Sequence, residues 1–255
     1  MIVNLPQWYN NPRRPTRIPK RRPNREKVTV IVPTRNEADN LLPVLARAHA
    51  HADELLVIDG HSTDGTREIA TACGARVIVD DQRGKGAAIR RGIAEAQGDI
   101  LVFLDADGSH DPADIPALVA PILAGEADHV SGSRMLGGSD ELHATIHQFI
   151  RLFGSQVITL SINYRLGVRL TDCQNGFRAI RRDVAQELGL QENITTIEQE
   201  MVIKTIRRGY RLGEVATHEY ARANGNSNFR VQDVWHKYLL SLAHYLFIWQ
   251  PTPNG

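Results

Sequence analysis

The chain has 255 residues, of which 42% are apolar, enough to bury one substantial core without disulfides. Its formal net charge is +1, so the total charge gives no support for a nucleic-acid partner. The two cysteines, Cys73 and Cys173, lie far apart and without metal-ligand spacing, which is typical of the reducing cytoplasm and excludes a disulfide scaffold or a zinc site.

The first 27 residues differ from the rest in charge and composition. They hold eight Lys or Arg, one acid and five of the twelve prolines, which leaves 22 bases and 28 acids on the remainder. Prolines at this density prevent a helix, and the segment has little to bury. We expect a basic, mostly extended and solvated arm. Contact with anionic lipid or with a neighbouring subunit of a homo-oligomer is the alternative.

From residue 28 onwards, short apolar runs alternate with segments of helical period, as in strands joined by crossover helices. The runs predict strands over residues 28–32, 54–58, 75–79, 100–104 and 129–131. The segments between them predict helices over residues 37–51, 66–73 and 85–97. A further helix should begin near Asp111, an N-cap acid before Pro112. The predicted fold class is α/β, a mixed, largely parallel sheet with helices on both faces.

The pattern changes after residue 134. Helices are predicted over residues 143–164 and 198–208, with a loop at 171–176 leading into 177–180. The run 231–249 carries Trp, Tyr and Leu at helical spacing, which predicts an amphipathic helix. We favour its packing on the protein's own core over a position on a membrane surface. We divide the chain into an arm (1–27), a catalytic domain (28–230) and a C-terminal helix with a tail (231–255).

No run reaches roughly 18 consecutive apolar residues, the length that crosses a bilayer. We therefore expect a cytoplasmic protein, whose contact with the inner face of the membrane, if it makes one, is peripheral.

Two acids, Asp105 and Asp107, follow the fourth predicted strand. If strand geometry persists, their carboxylates face the same way. Converging carboxylates repel each other unless a cation lies between them, and Mg²⁺ or Mn²⁺ is the hard cation that such oxygens select. The ion would keep coordination positions for a nucleotide diphosphate. The segment from Asp105 through Ala106 to Asp107 therefore predicts a site for a metal and the phosphates of that nucleotide.

Other candidate residues follow the predicted strands at the same edge, where ligands bind in open α/β sheets. Asp59 and Asp64, each followed by glycine, are placed to hold a base and ribose. Capping by Thr63 or Asp64 is the alternative role for one of these positions. Lys85 lies between two glycines at the start of the third predicted helix, where an anion would find the helix N-terminus.

Six motifs occur in order along the chain: Val-Ile-Val-Pro-Thr-Arg-Asn-Glu37, Asp-Gly-His-Ser-Thr-Asp-Gly-Thr66, Gly-Lys-Gly-Ala-Ala88, Leu-Asp-Ala-Asp-Gly-Ser-His-Asp-Pro112, Gly-Ser-Arg134 and the segment 172–182. Together they resemble the family 2 glycosyltransferases with a GT-A fold, closest to the dolichyl- or polyprenyl-phosphate mannose synthase and glucosyltransferase branch. The resemblance implies an inverting hexosyl transfer from a GDP- or UDP-sugar, with Mg²⁺ or Mn²⁺, to a polyprenyl or dolichyl phosphate.

The resemblance also implies roles for individual residues. Asp105 and Asp107 would bind the metal, and Lys85 would lie near the phosphates. Arg134 of the Gly-Ser-Arg motif would lie on the acceptor side. The nucleoside pocket would be lined by Pro33, Arg35, Glu37, Asp59 and Asp64.

The remaining hypotheses differ in the group that accepts the sugar. A lipid phosphate is already an anionic nucleophile and needs no strong base, and arginines suit its recognition. The candidates are Arg134, Arg151 and Arg222. A hydroxyl of a soluble sugar or metabolite needs a base within hydrogen-bond reach.

The acids considered for that base are Asp172, Glu198 and Glu200. For Glu198 and Glu200, stabilisation of the first turn of a helix is the alternative role. We favour the lipid phosphate as acceptor.

Two other classes of protein are alternatives, and the sequence argues against both. A sugar-1-phosphate nucleotidyltransferase normally has a Gly-rich loop after its first strand, where this chain has residues 33–37 without glycine. A non-catalytic nucleotide-sugar-binding protein would have no need of the converging pair Asp105 and Asp107.

Overall fold

The computed structural model describes residues 26–140, 146–222, 224 and 231–251. Within these residues, seven strands form one sheet in the order β3-β2-β1-β4-β6-β5-β7. The strands are β1 (Val28–Thr34), β2 (Glu54–Asp59), β3 (Arg76–Val79), β4 (Ile100–Phe103), β5 (His129–Ser133), β6 (Arg178–Arg181) and β7 (Leu212–Ala216). Nearly all of the predicted arm lies outside the described residues, and so do residues 143–145 of the long predicted helix.

The sheet is mixed and largely parallel, as predicted. β1 pairs in parallel with β2 and β4, β2 with β3, and β5 with β7. β6 runs antiparallel to both of its neighbours, β4 and β5. β5 continues two residues beyond its predicted end, to Ser133, so Arg134 follows the strand directly.

Helices cover both faces of the sheet and form a separate layer beside it. They are α1 (Ala38–Ala48), α2 (Thr66–Ala72), α3 (Lys85–Glu95), α4 (Ile115–Leu123), α5 (Arg134–Gly137), α6 (Ile146–Leu166), α7 (Arg182–Glu187), α8 (Ile197–Arg207) and α9 (Val231–Ala243), the last continued by a π-helical turn (His244–Ile248). The predicted cap at Asp111 is confirmed for the 3-10 turn Pro112–Asp114 that leads into α4, because the Asp111 carboxylate accepts a hydrogen bond of 2.8 Å from the Ala113 amide.

Alternation along the strands divides the core between the two faces of the sheet. Val32 faces α1 and α4, whereas the preceding Ile31 faces α3 and α7. A third cluster joins α6, α8 and α9 through residues such as Ile162, Val202 and Leu246. The C-terminal helix therefore packs on the protein's own core, as expected. In the described residues, no helix is both long and apolar enough to cross a membrane.

Candidate active site

The carboxyl ends of β1 and β4 border a cavity of about 560 Å³. Five acids line it, namely Glu37, Asp105, Asp107, Glu198 and Glu219. Four bases line it as well, namely Lys85, Arg134, Arg151 and Arg222. Apart from Arg151, the lining that comes from α6 and α9 is mostly apolar, through Ile150, Phe153, Val157, Trp235 and Leu239.

Lys85 joins the acid-rich turn after β4 to the start of α8. Its Nζ lies 2.7 Å from Oδ1 of Asp105 and 3.0 Å from Oε1 of Glu198. Burial alone would lower the pKa of Lys85, but the two carboxylates outweigh it and raise that pKa. Burial likewise opposes ionisation of Asp105, yet Lys85 and His110 hold its pKa below the ordinary value. Both side chains are therefore charged at neutral pH.

Gly176 allows this cluster to form beside the loop that precedes β6. A Cβ at this position would lie 2.9 Å from Nζ of Lys85 and 3.0 Å from Oδ2 of Asp105. Glycine is the residue that lets the backbone come so close to the two charged groups.

Asp107 belongs to a different ion pair. Its Oδ2 lies 3.3 Å from Nη1 of Arg222, and its Oδ1 accepts hydrogen bonds from the amide and hydroxyl of Ser109. The other end of the Arg222 guanidinium binds Glu37, which follows β1. Arg222 thus connects the loops after β1 and β4.

The expectation that strand geometry persists through the acid pair was wrong. β4 ends at Phe103, and the chain turns through residues 106–108. A turn is favoured because Gly108 has φ 78°, a conformation that suits glycine. The two carboxylates consequently bind different cations, although both line the same cavity.

The acid pair fits a metal that is bound together with a diphosphate. Two carboxylates supply hard oxygen ligands, which suit Mg²⁺ or Mn²⁺. Among the described residues, no three His, Cys, Asp or Glu side chains come together as a ready-made metal cage. An ion at Asp105 and Asp107 would therefore complete its coordination with water and phosphate oxygens. The buried Nε2 of His110, beside this turn, has no hydrogen-bond partner in the described part of the chain.

The predicted nucleoside residues differ in how much of their bonding capacity the protein uses. Asp59 is fully buried at the end of β2, where Oδ2 accepts the Ser62 amide and Oδ1 has no partner among the described residues. Asp64 is committed to the backbone, since it accepts the amides of Ala38 and Thr66. Gly65 occupies the N-cap position of α2, so the capping expectation for Thr63 or Asp64 was one or two residues off.

Two further predicted nucleoside residues lie at the end of β1. Pro33 lines the cavity, whereas Arg35, Asp59 and Asp64 are not part of its lining, and Arg35 is exposed. Arg35 passes over Gly60, whose added Cβ would lie 3.4 Å from Cβ of Arg35. Ala106, between the two acids, is buried and also lines the cavity.

Arg134 is held by two acids, Asp172 and Glu219. It makes a two-pronged pair with Asp172, at 2.7 Å from Nε to Oδ2 and 3.1 Å from Nη2 to Oδ1. Nη1 lies 3.2 Å from Oε1 of Glu219. Burial would lower the pKa of Arg134, but the two carboxylates raise it. Burial would raise the pKa of Asp172, and Arg134 instead holds it below the ordinary value.

The three candidate bases are not equivalent. Glu198 lines the cavity and pairs with Lys85, whereas Asp172 is not part of the lining and is engaged by Arg134. Glu200 is fully buried outside the cavity, where it pairs with Lys204 at 2.7 Å and accepts the amides of Gln191 and Glu192. Glu200 therefore stabilises the packing around α8 and does not reach the site.

Sequence reasoning missed Glu219. It pairs with Arg134, accepts a hydrogen bond of 2.6 Å from the Ser139 hydroxyl and forms a backbone bridge with His110. It follows β7, which was not predicted because its five residues include a glycine and a charged residue. Since β7 lies parallel to β5, its carboxyl end reaches the site. Glu219 could have been placed there only if β7 had been predicted.

Arg178 was also missed as a positioning residue. It is buried in β6 and donates to backbone carbonyls at both sides of the cavity, 3.1 Å to Asn175 and 3.0 Å to Glu198. Burial lowers its pKa. An arginine that follows Phe177 and precedes Ala179 and Ile180 was the available signal, because a charge buried among apolar residues must be satisfied by hydrogen bonds.

A mixed α/β sheet with a two-acid turn after β4, and with charged loops from β1, β2 and β5 gathered at the same edge, defines the GT-A class of nucleotide-binding folds. The family model for glycosyl transferase family 2 matches residues 29–189, and the chain belongs to this family. The predictions of the family and of the GT-A fold are therefore confirmed.

Relatives and solved structures agree with this assignment. The chain is 32% identical over 207 residues to glycosyltransferase AglJ of Haloferax volcanii, covering 80% of this chain and 66% of AglJ. It is also 32% identical over 203 residues to an uncharacterized glycosyltransferase of Mycobacterium tuberculosis, covering 79% of this chain and 89% of that protein.

The fold is shared with the crystal structure of glucosyl-3-phosphoglycerate synthase from Mycobacterium tuberculosis in complex with Mn²⁺, UDP and glucosyl-3-phosphoglycerate. The TM-score is 0.69 at 24% identity, covering 90% of this chain and 82% of that one. None of these similarities singles out the polyprenyl-phosphate branch, which stays a prediction.

Proposed function

We propose that the chain transfers a hexosyl group, with inversion, from a UDP- or GDP-sugar to a polyprenyl phosphate. The observation that carries this proposal is the two-sided cavity. Ion-paired acids and bases form one side, and the other side is the mostly apolar lining from α6 and α9, where Phe153 and Trp235 are both more than half exposed. A phosphate head and a prenyl chain need these two environments side by side.

The donor half of the proposal rests on the loops after β1, β2 and β4. The unpartnered Oδ1 of Asp59 would accept an N–H group of the base, and Pro33, Arg35, Glu37 and Asp64 would surround the nucleoside. Lys85 would contact the diphosphate, and Asp105 and Asp107 would hold Mg²⁺ or Mn²⁺. When bound, the metal neutralises charge on the departing diphosphate. Support comes from the Mn²⁺ and UDP in the structure of glucosyl-3-phosphoglycerate synthase.

The acceptor half rests on the state of the acids. All five carboxylates among the described residues of the cavity wall are ion-paired, Glu37 and Asp107 with Arg222, Asp105 and Glu198 with Lys85, and Glu219 with Arg134. Each of these carboxylates has an oxygen engaged by a cation, so none is placed free to take a proton from an acceptor hydroxyl. A phosphate oxygen is an anionic nucleophile and attacks the sugar C1 without a base, while the C1–O bond to the diphosphate breaks. Arg134 and Arg151 are the cations that would receive the acceptor phosphate.

Transfer assays test the proposal directly. The purified full chain is incubated with Mn²⁺ and radiolabelled UDP-glucose or GDP-mannose, with polyprenyl phosphate in detergent as acceptor. We expect label in the organic phase with one of the two donors and none when polyprenol without the phosphate is supplied. Transfer to 3-phosphoglycerate or to a free sugar, with none to polyprenyl phosphate, would overturn the lipid acceptor. A reaction at the cytoplasmic face of a membrane is the setting that the lipid acceptor implies.

A further inference from the structure

The outer face of α6 is a continuous apolar stripe. Six of its large apolar side chains are exposed, namely Phe149, Ile150, Phe153, Val157, Leu160 and Tyr164. At about 100° per residue they fall within roughly 100° of the helix circumference. The core is contacted by a different side of α6, through Ile158 and Ile162, so burial in the fold does not account for the outer stripe.

The C-terminal helix extends this apolar surface beside α6. α9 and its π-helical turn bury Leu242 and Leu246 against α8 and expose Trp235, Leu239, Leu240, Phe247 and Ile248. Phe153 and Trp235 line the same cavity, and the guanidinium of Arg165 lies 5.6 Å from the ring centre of Phe247. We call this surface the α6–α9 face. It consists of the exposed residues of α6 named above together with these five.

The charged residues of the two segments that form the α6–α9 face are mostly basic. Of the chain's 29 acids, none occurs in residues 146–171 and one, Asp233, occurs in residues 231–250. The same two segments contain Arg151, Arg165, Arg169 and Lys237, and all four have solvent-accessible side chains. A broad apolar surface with a mainly basic rim is complementary to an anionic bilayer, whose headgroups attract lysine and arginine.

We infer that the α6–α9 face docks on an anionic membrane, with α6 and α9 lying in the interfacial plane and the mouth of the cavity directed at the lipid. Tyr164 is 94% exposed and Phe149 62%, so these side chains are available to enter the acyl boundary. This surface deepens the proposed function, on which it rests for its substrate, because a membrane-embedded prenyl phosphate would enter the cavity along Phe153 and Trp235.

Vesicle flotation with the full chain tests the docking surface. Liposomes of phosphatidylcholine alone are compared with liposomes containing about 30% phosphatidylglycerol. We expect flotation with the anionic vesicles, weakened by high salt. The double variant Phe149→Glu with Leu160→Glu, outside the cavity lining, should bind these vesicles at least about tenfold less well.

The matched control places two glutamates on exposed leucines of other helices, Leu42→Glu in α1 with Leu123→Glu in α4, which are 55% and 43% exposed. It should float as the wild type does. Thermal stabilisation by Mn²⁺ with UDP or GDP, measured without lipid, shows whether each variant is folded.

Three outcomes would overturn the docking surface. They are a wild type that does not float, a double variant that floats normally, and a wild type that is a dimer without lipid and becomes monomeric through Phe149→Glu with Leu160→Glu. In the last case the α6–α9 face joins two copies of the chain. Flotation and transfer are measured separately, so flotation without lipid glycosylation would sink only the proposed acceptor. Transfer in detergent without flotation would sink only the membrane surface.

Discussion

Arg222 binds Asp107, with Nη1 3.3 Å from Oδ2, and the same guanidinium binds Glu37 across the cavity. An internal cation thus lies against one of the two acids proposed to hold the metal. A divalent ion that binds Asp107 has to displace this guanidinium from the carboxylate or share the carboxylate with it.

Replacing Arg222 by glutamine should therefore strengthen metal binding in the absence of nucleotide. Removal of one partly buried positive charge beside Asp107 makes the site more negative, and we expect Mn²⁺ affinity to rise by about threefold to tenfold. Calorimetric titration of the nucleotide-free protein with Mn²⁺ measures this affinity. Arg47→Gln, which breaks the pair of Arg47 with Asp111, is the control and should leave Mn²⁺ affinity unchanged. Equal or weaker Mn²⁺ binding by Arg222→Gln would contradict competition between the two cations.

The Asp107→Asn variant tests the metal role of the acid pair. Loss of a charged ligand should abolish the Mn²⁺-dependent thermal shift with UDP or GDP and lower transfer by about 100-fold or more. Asp111→Asn is a close control, because asparagine caps a helix about as well as aspartate and Asp111 lies four residues further along the chain. A full metal-dependent shift in Asp107→Asn would remove this residue from the proposed site.

The donor half of the site was more predictable than the acceptor half because its signals are local. Asp59 and Asp105 each follow an apolar run directly, so the strand that positions them could be identified from neighbouring residues. Glu219 reaches Arg134 only because β7 joins β5 over a long sequence separation. The outer stripe of α6 was not anticipated either, since a helix that is apolar on two sides has a weak amphipathic signal.

The partners of individual charged side chains were the hardest feature to predict from the sequence. Asp172 was a candidate base on residue type alone, but its environment was set by Arg134, 38 residues earlier in the chain. Glu198 and Glu200 lie two residues apart in α8, yet one lines the cavity and the other is buried against Lys204. Helical geometry separates them by about 200°, and only the packing of α8 decides which one faces the site.

The pair of Asp172 with Arg134 should make stability depend on pH. Arg134 holds the pKa of the folded Asp172 below its unfolded value of about 3.9. The stabilisation is therefore complete above the unfolded pKa and is lost as the pH falls through the folded one. Asp172→Asn, which leaves a buried guanidinium with one carboxylate fewer, should lower the free energy of unfolding by about 3 kcal/mol at pH 7.

Urea unfolding of both proteins between pH 7 and pH 3 measures this effect. The difference between wild type and Asp172→Asn should stay constant down to about pH 5 and narrow below the unfolded pKa of about 3.9. A difference that grows as the pH falls would show that the carboxylate is not ionised in the folded state.

Gly176→Ala should weaken nucleotide binding strongly while lowering the stability of the fold only a little. The new Cβ would lie 2.9 Å from Nζ of Lys85 and 3.0 Å from Oδ2 of Asp105, closer than these atoms allow. Because the obstructing atoms are the ends of flexible side chains, they can move away, and we expect the free energy of unfolding to fall by less than about 1.5 kcal/mol. The Lys85–Asp105 pair would be displaced, so affinity for UDP or GDP with Mn²⁺ should fall by about tenfold or more. Unfolding and nucleotide titration of the same preparation check both halves, and unchanged nucleotide affinity would mean that Lys85 does not contact the diphosphate.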